Sequence, residues 1–410
     1  MLKIALRNAL RQKRRTILTM LTMFGGFVLA AISIGWADGS YSNIINMFTR
    51  NRLGHIQIHG KGYLDKPSIY NTIEQYEQIG QSIQSLDGVE SWTPRLFSAG
   101  LVSVGDNSAT AQIIGIDPQR EQQATRFNQK IVAGTALKNQ AEQGVILGKG
   151  QGVILGKGLA EVLQAQVGDE LIIVSQAADG SIANDLYRII GVMQTGEEMD
   201  RTSIYMHLTD AQALFALNSQ VHEIAIIIDN LSAINSIIQK IRALPNMSEL
   251  SVEPWQEFAK SFYQAMKADL QGMWIMLFVV VLIVAIGVLN TVLMSVLERT
   301  REYGVAKAIG TRPGQIFWQV IYEVNAIALV SVVLGMGVSV LVNHLLSIHG
   351  ISLPESFTYG GLVFDKFYSE VNARSLYIPC FSVFLSALLA SIFPALRAAH
   401  IQPAKAMRMH

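Results

Sequence analysis

The chain is poor in the features that mark several large protein classes. It has a single cysteine, Cys380, which falls inside an apolar block. The polar part of the chain therefore contains no disulfide and no cysteine-based metal site. Charged residues make up only 15% of the 410 positions and the formal net charge is +1, so the strong basic excess of a nucleic-acid-binding domain is absent. The Walker pattern is also missing. An octapeptide, Gln-Gly-Val-Ile-Leu-Gly-Lys-Gly, occurs in tandem at Gln143–Gly150 and Gln151–Gly158. Neither copy has the spacing between glycines, or the Ser/Thr after Lys, that a phosphate loop needs. The repeat reads instead as a local duplication lengthening a strand and turn, of the kind surface loops tolerate at small entropic cost. No serine, histidine and acid grouping has a local spacing that suggests a hydrolase. His55 and His59 share one face of a strand, but at about 3.3 Å per residue they stand roughly 13 Å apart, too far to share a metal ion. They read as solvated surface residues.

Apolar residues, by contrast, are plentiful at 50%, and they are gathered in blocks long enough to cross a hydrocarbon core of about 30 Å. The first block, Thr16–Trp36, is too long for a signal-peptide core and Ala30-Ala31 lies within it, which argues against cleavage. The second, Met273–Leu297, is broken only by Gly287, Asn290, Thr291 and Ser295. The third, Ala326–Ile348, carries the small residues Ser331, Gly335, Gly337 and Ser339, which let helices approach closely in lipid. The fourth, Leu376–Leu396, has Pro379 and Pro394 near its ends, where they do least harm.

Lys and Arg cluster before the first block (Lys3, Arg7, Arg11, Lys13, Arg14, Arg15). They also cluster between the second and third (Arg299, Arg301, Lys307, Arg312) and after the fourth (Arg397, Lys405, Arg408). The positive-inside rule then predicts both termini and the middle loop in the cytoplasm. The fold class expected is an α-helical membrane protein with four transmembrane helices and a large mixed α+β extracytoplasmic domain between the first and second. The division is a cytoplasmic amphipathic helix at 1–15, spans at 16–36, 272–297, 321–348 and 376–396, and a periplasmic domain at 37–271. A cytoplasmic loop at 298–320, a short periplasmic loop at 349–375 and a cytoplasmic tail at 397–410 complete it. Within the domain, alternation predicts strands at His55–His59, Leu101–Val104, Ala111–Ile116, Glu170–Val174, Tyr187–Val192 and Glu223–Ile228. Helices are expected at Ile73–Leu86, Asp210–Leu217 and Ser232–Leu244, with another from Trp255 running unbroken into the second span.

The loop after the second span predicts a short helix, about Glu298–Ile309, closed by Gly310, with Thr311 capping the next helix and Pro313 in its first turn. Val305 and Ile309 fall on one side at i,i+4, and Arg299, Arg301, Glu302 and Lys307 supply a polar surface. Such a helix could present charge to a soluble partner, or the loop could simply set topology. Glu323, an acid at the inner edge of the third span, is a functional candidate by default; the alternative is an interfacial acid paired with Arg312 or Arg299.

This loop resembles the coupling segment of the MacB/LolC/FtsX family of ABC permeases, with an E-R-x-R-E-x-G-x-x-x-A-x-G pattern on Glu298, Arg299, Arg301, Glu302, Gly304, Ala308 and Gly310. Ile321-Tyr-Glu323 resembles the family's entry to the third span. Phe393–Arg408 resembles its closing P-A-x-x-A-x-x-x-x-P-x-x-A-[LM]-R signature. Ala5–Thr16 resembles its N-terminal amphipathic helix, with Lys3, Arg7, Arg11 and Arg15 beside Leu2, Leu6 and Leu10. Leu53–Gly62 resembles the lipoprotein-releasing permeases within the family.

The resemblance implies a non-catalytic permease of the bacterial inner membrane that binds no cofactor itself. ATP and Mg would sit on a cytoplasmic ABC ATPase dimer formed by separate chains, since only 15 residues precede the first span. It further implies a second permease copy or a paralogue, mechanotransmission to the periplasmic domain, and a periplasmic carrier or adaptor as a candidate partner. The loop residues Glu298–Gly310, Lys307 among them, would couple to the ATPase. Three functions are compatible with this: release of lipoprotein or lipid-like cargo, signalling to a periplasmic hydrolase, and peptide or macrolide efflux through an outer-membrane duct.

Overall fold

The computed structural model describes residues 13–138, 152–194, 201–359 and 362–403. The N-terminal amphipathic helix through residue 12, the first octapeptide copy and the tail beyond residue 403 lie outside the described residues. Helices follow the chain as α1 (Lys13–Phe48), α2 (Tyr76–Gln84), α3 (Pro118–Thr125), α4 (Lys157–Leu163) and α5 (Leu208–Leu214). They continue as α6 (Ile234–Arg242), α7 (Lys260–Glu298), α8 (Thr300–Ala308), α9 (Pro313–His349) and α10 (Arg374–Ala399). The chain forms two compact units. One is helical, built from the chain up to Asn43, Ala265–Pro354 and the chain from Lys366; the other is an αβ unit of Ile44–Gln264 with Glu355–Asp365.

In the helical unit, α1, α7, α9 and α10 are the helices long and apolar enough to cross a membrane. At about 1.5 Å per residue, the 36 residues of α1 and 39 of α7 reach about 54 and 58 Å, well beyond the ~30 Å a span needs. Hydropathy marks where a helix meets lipid, while the backbone stays helical until something stops it. α1 ends in a π-turn at Thr49–Leu53 followed by Gly54 at φ +83°. The small residues of α9 do face protein at Ser331, Gly335 and Ser339, which are buried, whereas Gly337 is exposed. The reason is period: 331, 335 and 339 repeat at i,i+4 on one face and 337 lies across the helix. A Cβ on Gly335 would meet the Phe27 ring, and one on Gly26 would meet Val284. The buried Asn343 amide donates to the Ala31 carbonyl (3.2 Å) and accepts from the Ser369 hydroxyl (3.0 Å). A polar group in this setting must find such partners.

The αβ unit is built on a ten-stranded mixed sheet. Its strands are β1 (Ile56–Gly60), β3 (Val89–Val104), β4 (Asn107–Ile116), β5 (Ile131–Gly134), β6 (Gly152–Gly156), β7 (Glu170–Gln176), β8 (Ile182–Met193), β9 (Ser203–His207), β11 (Glu223–Ile228) and β12 (Leu250–Pro254), while β2 (Ile73–Glu74) and β10 (Gln220–Val221) pair apart from it. The order is β12-β1-β11-β3-β4-β9-β6-β8-β5, with β7 bonded to β3 and β8. Among these pairings β4–β9 and β6–β8 are parallel. α6 buries Ile234, Ile237, Ile238 and Ile241 at helical spacing. Gly80 of α2 lies against Trp92, where a Cβ would fall within 2.2 Å of the ring.

Several expectations fail here for physical reasons. His55 and His59 are buried, at 2% and 1% exposure, because β1 is an internal strand between β11 and β12 with both faces covered. The His55 Nδ1 accepts from the Ile228 N–H (3.0 Å), and burial, with the Arg50 charge, pushes its pKa down to about 4. His59 stacks on Tyr63, and its ring nitrogens face the His222 carbonyl (3.1 Å) and Gln57 Oε1 (3.0 Å). The second octapeptide copy is no surface turn: Val153, Ile154 and Leu155 are fully buried in β6, inside the sheet, and Lys157 opens α4. The helix expected from Ile73 begins at Tyr76, since Ile73–Glu74 pairs with β10 and Gln75 takes φ +52°. The rod expected from Trp255 is interrupted at Ala259, between a single turn at Trp255–Phe258 and α7.

At the centre of this unit lies a buried ionic network that the sequence reading did not anticipate. Arg95 on β3 donates to both Glu121 oxygens (3.1 and 2.8 Å) and to Glu223 Oε1 (2.9 Å). Thr93 and Thr125 hydroxyls also donate to Glu121. Burial alone would raise the Glu121 pKa, but the Arg95 charge and these donors outweigh it and hold the carboxyl below its usual range.

Candidate functional site

The segment from Glu298 to Glu323 gathers the candidate residues of the helical unit. α7 stops at Glu298, and Arg299 leaves the helical conformation at φ −91°, ψ 9° before α8 begins. α8 ends in a Schellman motif, as the glycine predicted. Gly310 sits at φ +103°, its N–H bonds to Lys307 O (3.0 Å), and the Thr311 N–H bonds to Ala306 O (3.0 Å). The next cap differs from expectation: Arg312 rather than Thr311 is the N-cap, its N–H held by Gln315 Oε1 (2.9 Å), with Pro313 at the first helical position.

Tertiary packing decides which side of α8 is buried. Val305 and Ile309 are exposed, Ile309 at 81%, while Tyr303 and Gly304 are buried. Aromatic Tyr303 covers more area than Val305 and joins the core formed by Ile316, Val320, Ala395 and Ala398. Arg299, expected on the polar surface, is 7% exposed. Its Nη1 donates to both oxygens of Glu323 (3.0 and 2.9 Å), its Nε donates to Glu302 Oε2 (3.0 Å), and its guanidinium lies 5.3 Å from the Tyr303 ring centre. The pairing of Glu323 with Arg299 is thus one of the two anticipated. The exposed face of α8 carries Arg301, Glu302, Val305, Ala308 and Ile309, with Gly310 just beyond.

Two contacts were not legible in the sequence. Glu298 is ion-paired with Arg15 of α1, and the Lys307 ammonium donates to the carbonyls of Ala399 (2.9 Å) and Ile401 (2.8 Å) at the end of α10. Both join residues more than 90 positions apart, a separation at which no periodic pattern operates. A small cavity of about 30 Å³, lined by the polar residues Arg15, Ser295, Arg299 and Glu323 and by apolar residues such as Val292 and Val324, has room for water. The cluster can hold a helix against its neighbours by charge-assisted bonds while leaving one face open.

Comparison with known proteins matches two families. Residues 16–244 match the MacB-like periplasmic core domain, and residues 274–403 match the FtsX-like permease C-terminal region. The chain is similar to the lipoprotein-releasing system transmembrane protein LolC of Neisseria meningitidis serogroup B, at 23% identity over 99% of this chain and 98% of that protein. It is also similar to the macrolide export ATP-binding/permease protein MacB of Psychrobacter arcticus, at 24% identity over 99% of this chain and 59% of that protein. The chain therefore spans about three fifths of that MacB. Among solved structures, the periplasmic region of MacB from Actinobacillus actinomycetemcomitans aligns with a TM-score of 0.37 and 17% identity, covering 51% of this chain and 92% of that one.

Proposed function

This chain belongs to the family of ABC transporter permeases that combine a MacB-like periplasmic core domain with an FtsX-like C-terminal region, and from that premise we propose that it couples ATP hydrolysis on a partner chain to movement of its αβ unit. The observation that carries the proposal is the two-sidedness of α8. Its inner face is fixed by Tyr303, Gly304 and the Arg299–Glu323 pair, while its outer face offers Arg301, Glu302 and the exposed Val305 and Ile309. An apolar centre flanked by charges suits docking to another protein.

In this reading the ATPase, with its ATP and Mg, binds the outer face of α8 on the cytoplasmic side of a bacterial inner membrane. Both termini lie in the cytoplasm, and the αβ unit lies in the periplasm. The functional permease is a pair, of two copies or of this chain and a paralogue. The cargo is a lipoprotein or a lipid-like molecule. What supports it is the similarity to LolC, which runs over 99% of this chain and 98% of that protein. A periplasmic carrier would then receive the cargo.

Arg301→Glu and Ile309→Asp test the docking face. Each should abolish co-purification of the ATPase, because a charge reversed or inserted at an interface costs several kcal/mol. The same change on a surface without a partner costs less than about 0.5 kcal/mol. Wild-type association and ATP turnover in both variants would remove α8 from the coupling mechanism.

A further inference from the structure

We propose that Lys307 is not a docking contact but a positioning residue that ties the coupling helix to the end of the fourth span, so that α8 drives α9 and α10 together. This rests on the reading of α8 as the ATPase-docking helix. The Lys307 ammonium reaches the Ala399 and Ile401 carbonyls at 2.9 and 2.8 Å. The Ala399 carbonyl lies at the C-terminus of α10, where the last acceptors of a helix have no partner within it and where the helix dipole favours a cation, and the Ile401 carbonyl lies two residues beyond. Lys307 itself is half-buried, in line with an ammonium turned inward. Ala398 and Tyr303 share one core, and Ile401 packs against it, so the tie is backed by apolar contact.

The opposite end of α8 is tied elsewhere. Arg299 binds both oxygens of Glu323, which lies about three turns into α9. α8 is thus held at its N-terminal end to α9 and in its last turn to α10, while Arg299, which is non-helical, and the Thr300 hydroxyl, which donates to the Leu297 carbonyl (2.7 Å), join it to α7. A push on its outer face is shared by the third and fourth spans. Without Lys307 the path to the fourth span would rest on the shared apolar core alone.

The test uses the full chain with its ATPase, in a Cys380→Ser background with a spin label on Arg397→Cys near the end of α10. The label should report an ATP-dependent change in the intact complex. Lys307→Met should keep the ATPase bound but lose that change, since removal of two charge-assisted bonds shifts the tied fraction by about tenfold or more. Lys307→Arg should restore it. Because Lys307→Met could impair folding, a second variant carries Lys307→Cys and Ile401→Cys without the label. There a short thiol cross-linker should restore ATP-driven cargo release or permease-stimulated turnover, and its reduction should abolish it. Loss of ATPase binding in Lys307→Met would make Lys307 a docking residue and overturn the proposal, as would an unchanged label response or a cross-link without effect. Failure of the reading beneath it looks different: Arg301→Glu would then retain the ATPase whatever Lys307 does.

Discussion

Each unit of the molecule buries an arginine between two glutamates, and the two arrangements differ in one respect. Arg95 in the αβ unit is enclosed on every side, with its own side chain and those of Glu121 and Glu223 at 5%, 5% and 6% exposure. Arg299 in the helical unit has one shielded partner, Glu323 at 14%, and one in solvent, Glu302 at 51%. Arg95 belongs to a sixteen-residue strand bonded to β11, β4 and β7. Arg299 is the single non-helical residue between two helices. The same chemistry therefore makes a fully shielded network in one place and a half-solvated one in the other. A fully desolvated ion pair resists any change of partner, while one that opens to water can exchange bonds at modest cost.

The contrast can be broken most forcefully at Arg95. Arg95→Met should destabilise the αβ unit by about 3–5 kcal/mol, since it leaves two buried carboxylates without their counter-charge. Urea unfolding of the full chain in detergent, followed by hydrogen exchange at β3 and β11, measures this. A loss below 1 kcal/mol would mean the network is not closed.

Lowering the pH should act on the same unit through His55. Its folded pKa of about 4 lies below the unfolded value of about 6.5, so the unfolded chain binds the proton first. The stabilisation is complete above pH 6.5 and is lost as pH falls toward 4, by roughly 3 kcal/mol in all. Glu121, held below its usual range, contributes above about pH 4.3 and loses that contribution only further down, so the two windows separate. His55→Asn, which keeps an acceptor for the Ile228 N–H, should reduce the slope of the upper window, to which His59 and His222, both pushed down by burial, also contribute. A stability profile of the full chain that is level between pH 6.5 and 4 would contradict this.

The smallest effects are expected at Arg299. A double-mutant cycle of Arg299→Met with Glu323→Gln should give a coupling energy of about 1–3 kcal/mol. Glu302→Gln should stay within about 0.5 kcal/mol, as solvated pairs do. Equal coupling to both acids would erase the distinction between the shielded and the solvated partner.

How much of this was legible depended on range. The Gly310 cap was readable because a Schellman turn is specified within six residues, and Glu323 was flagged because an acid near lipid is rare. The buried side of α8 was not given by the period, since Val305 and Ile309 share one side at i,i+4 but the larger Tyr303 takes the core. Burial of His55 and of the repeat's second copy could not be read from alternation, which is informative only for strands with one wet face.

The sequence alone determined what depends on composition and local order: four apolar helices, the cationic segments beside them, the break at Gly310, and the family motif. Hydropathy, steric preference and dipole effects all act within a few turns, so a linear reading captures them. Only the tertiary structure decided that Arg299 faces Glu323, that Lys307 reaches the carbonyls of α10, and that Arg95 meets Glu121 and Glu223 in one desolvated cluster. These are contacts between residues that share no period and no neighbourhood in the chain. Their strength comes from the low dielectric that packing creates, which exists only once the fold has excluded water.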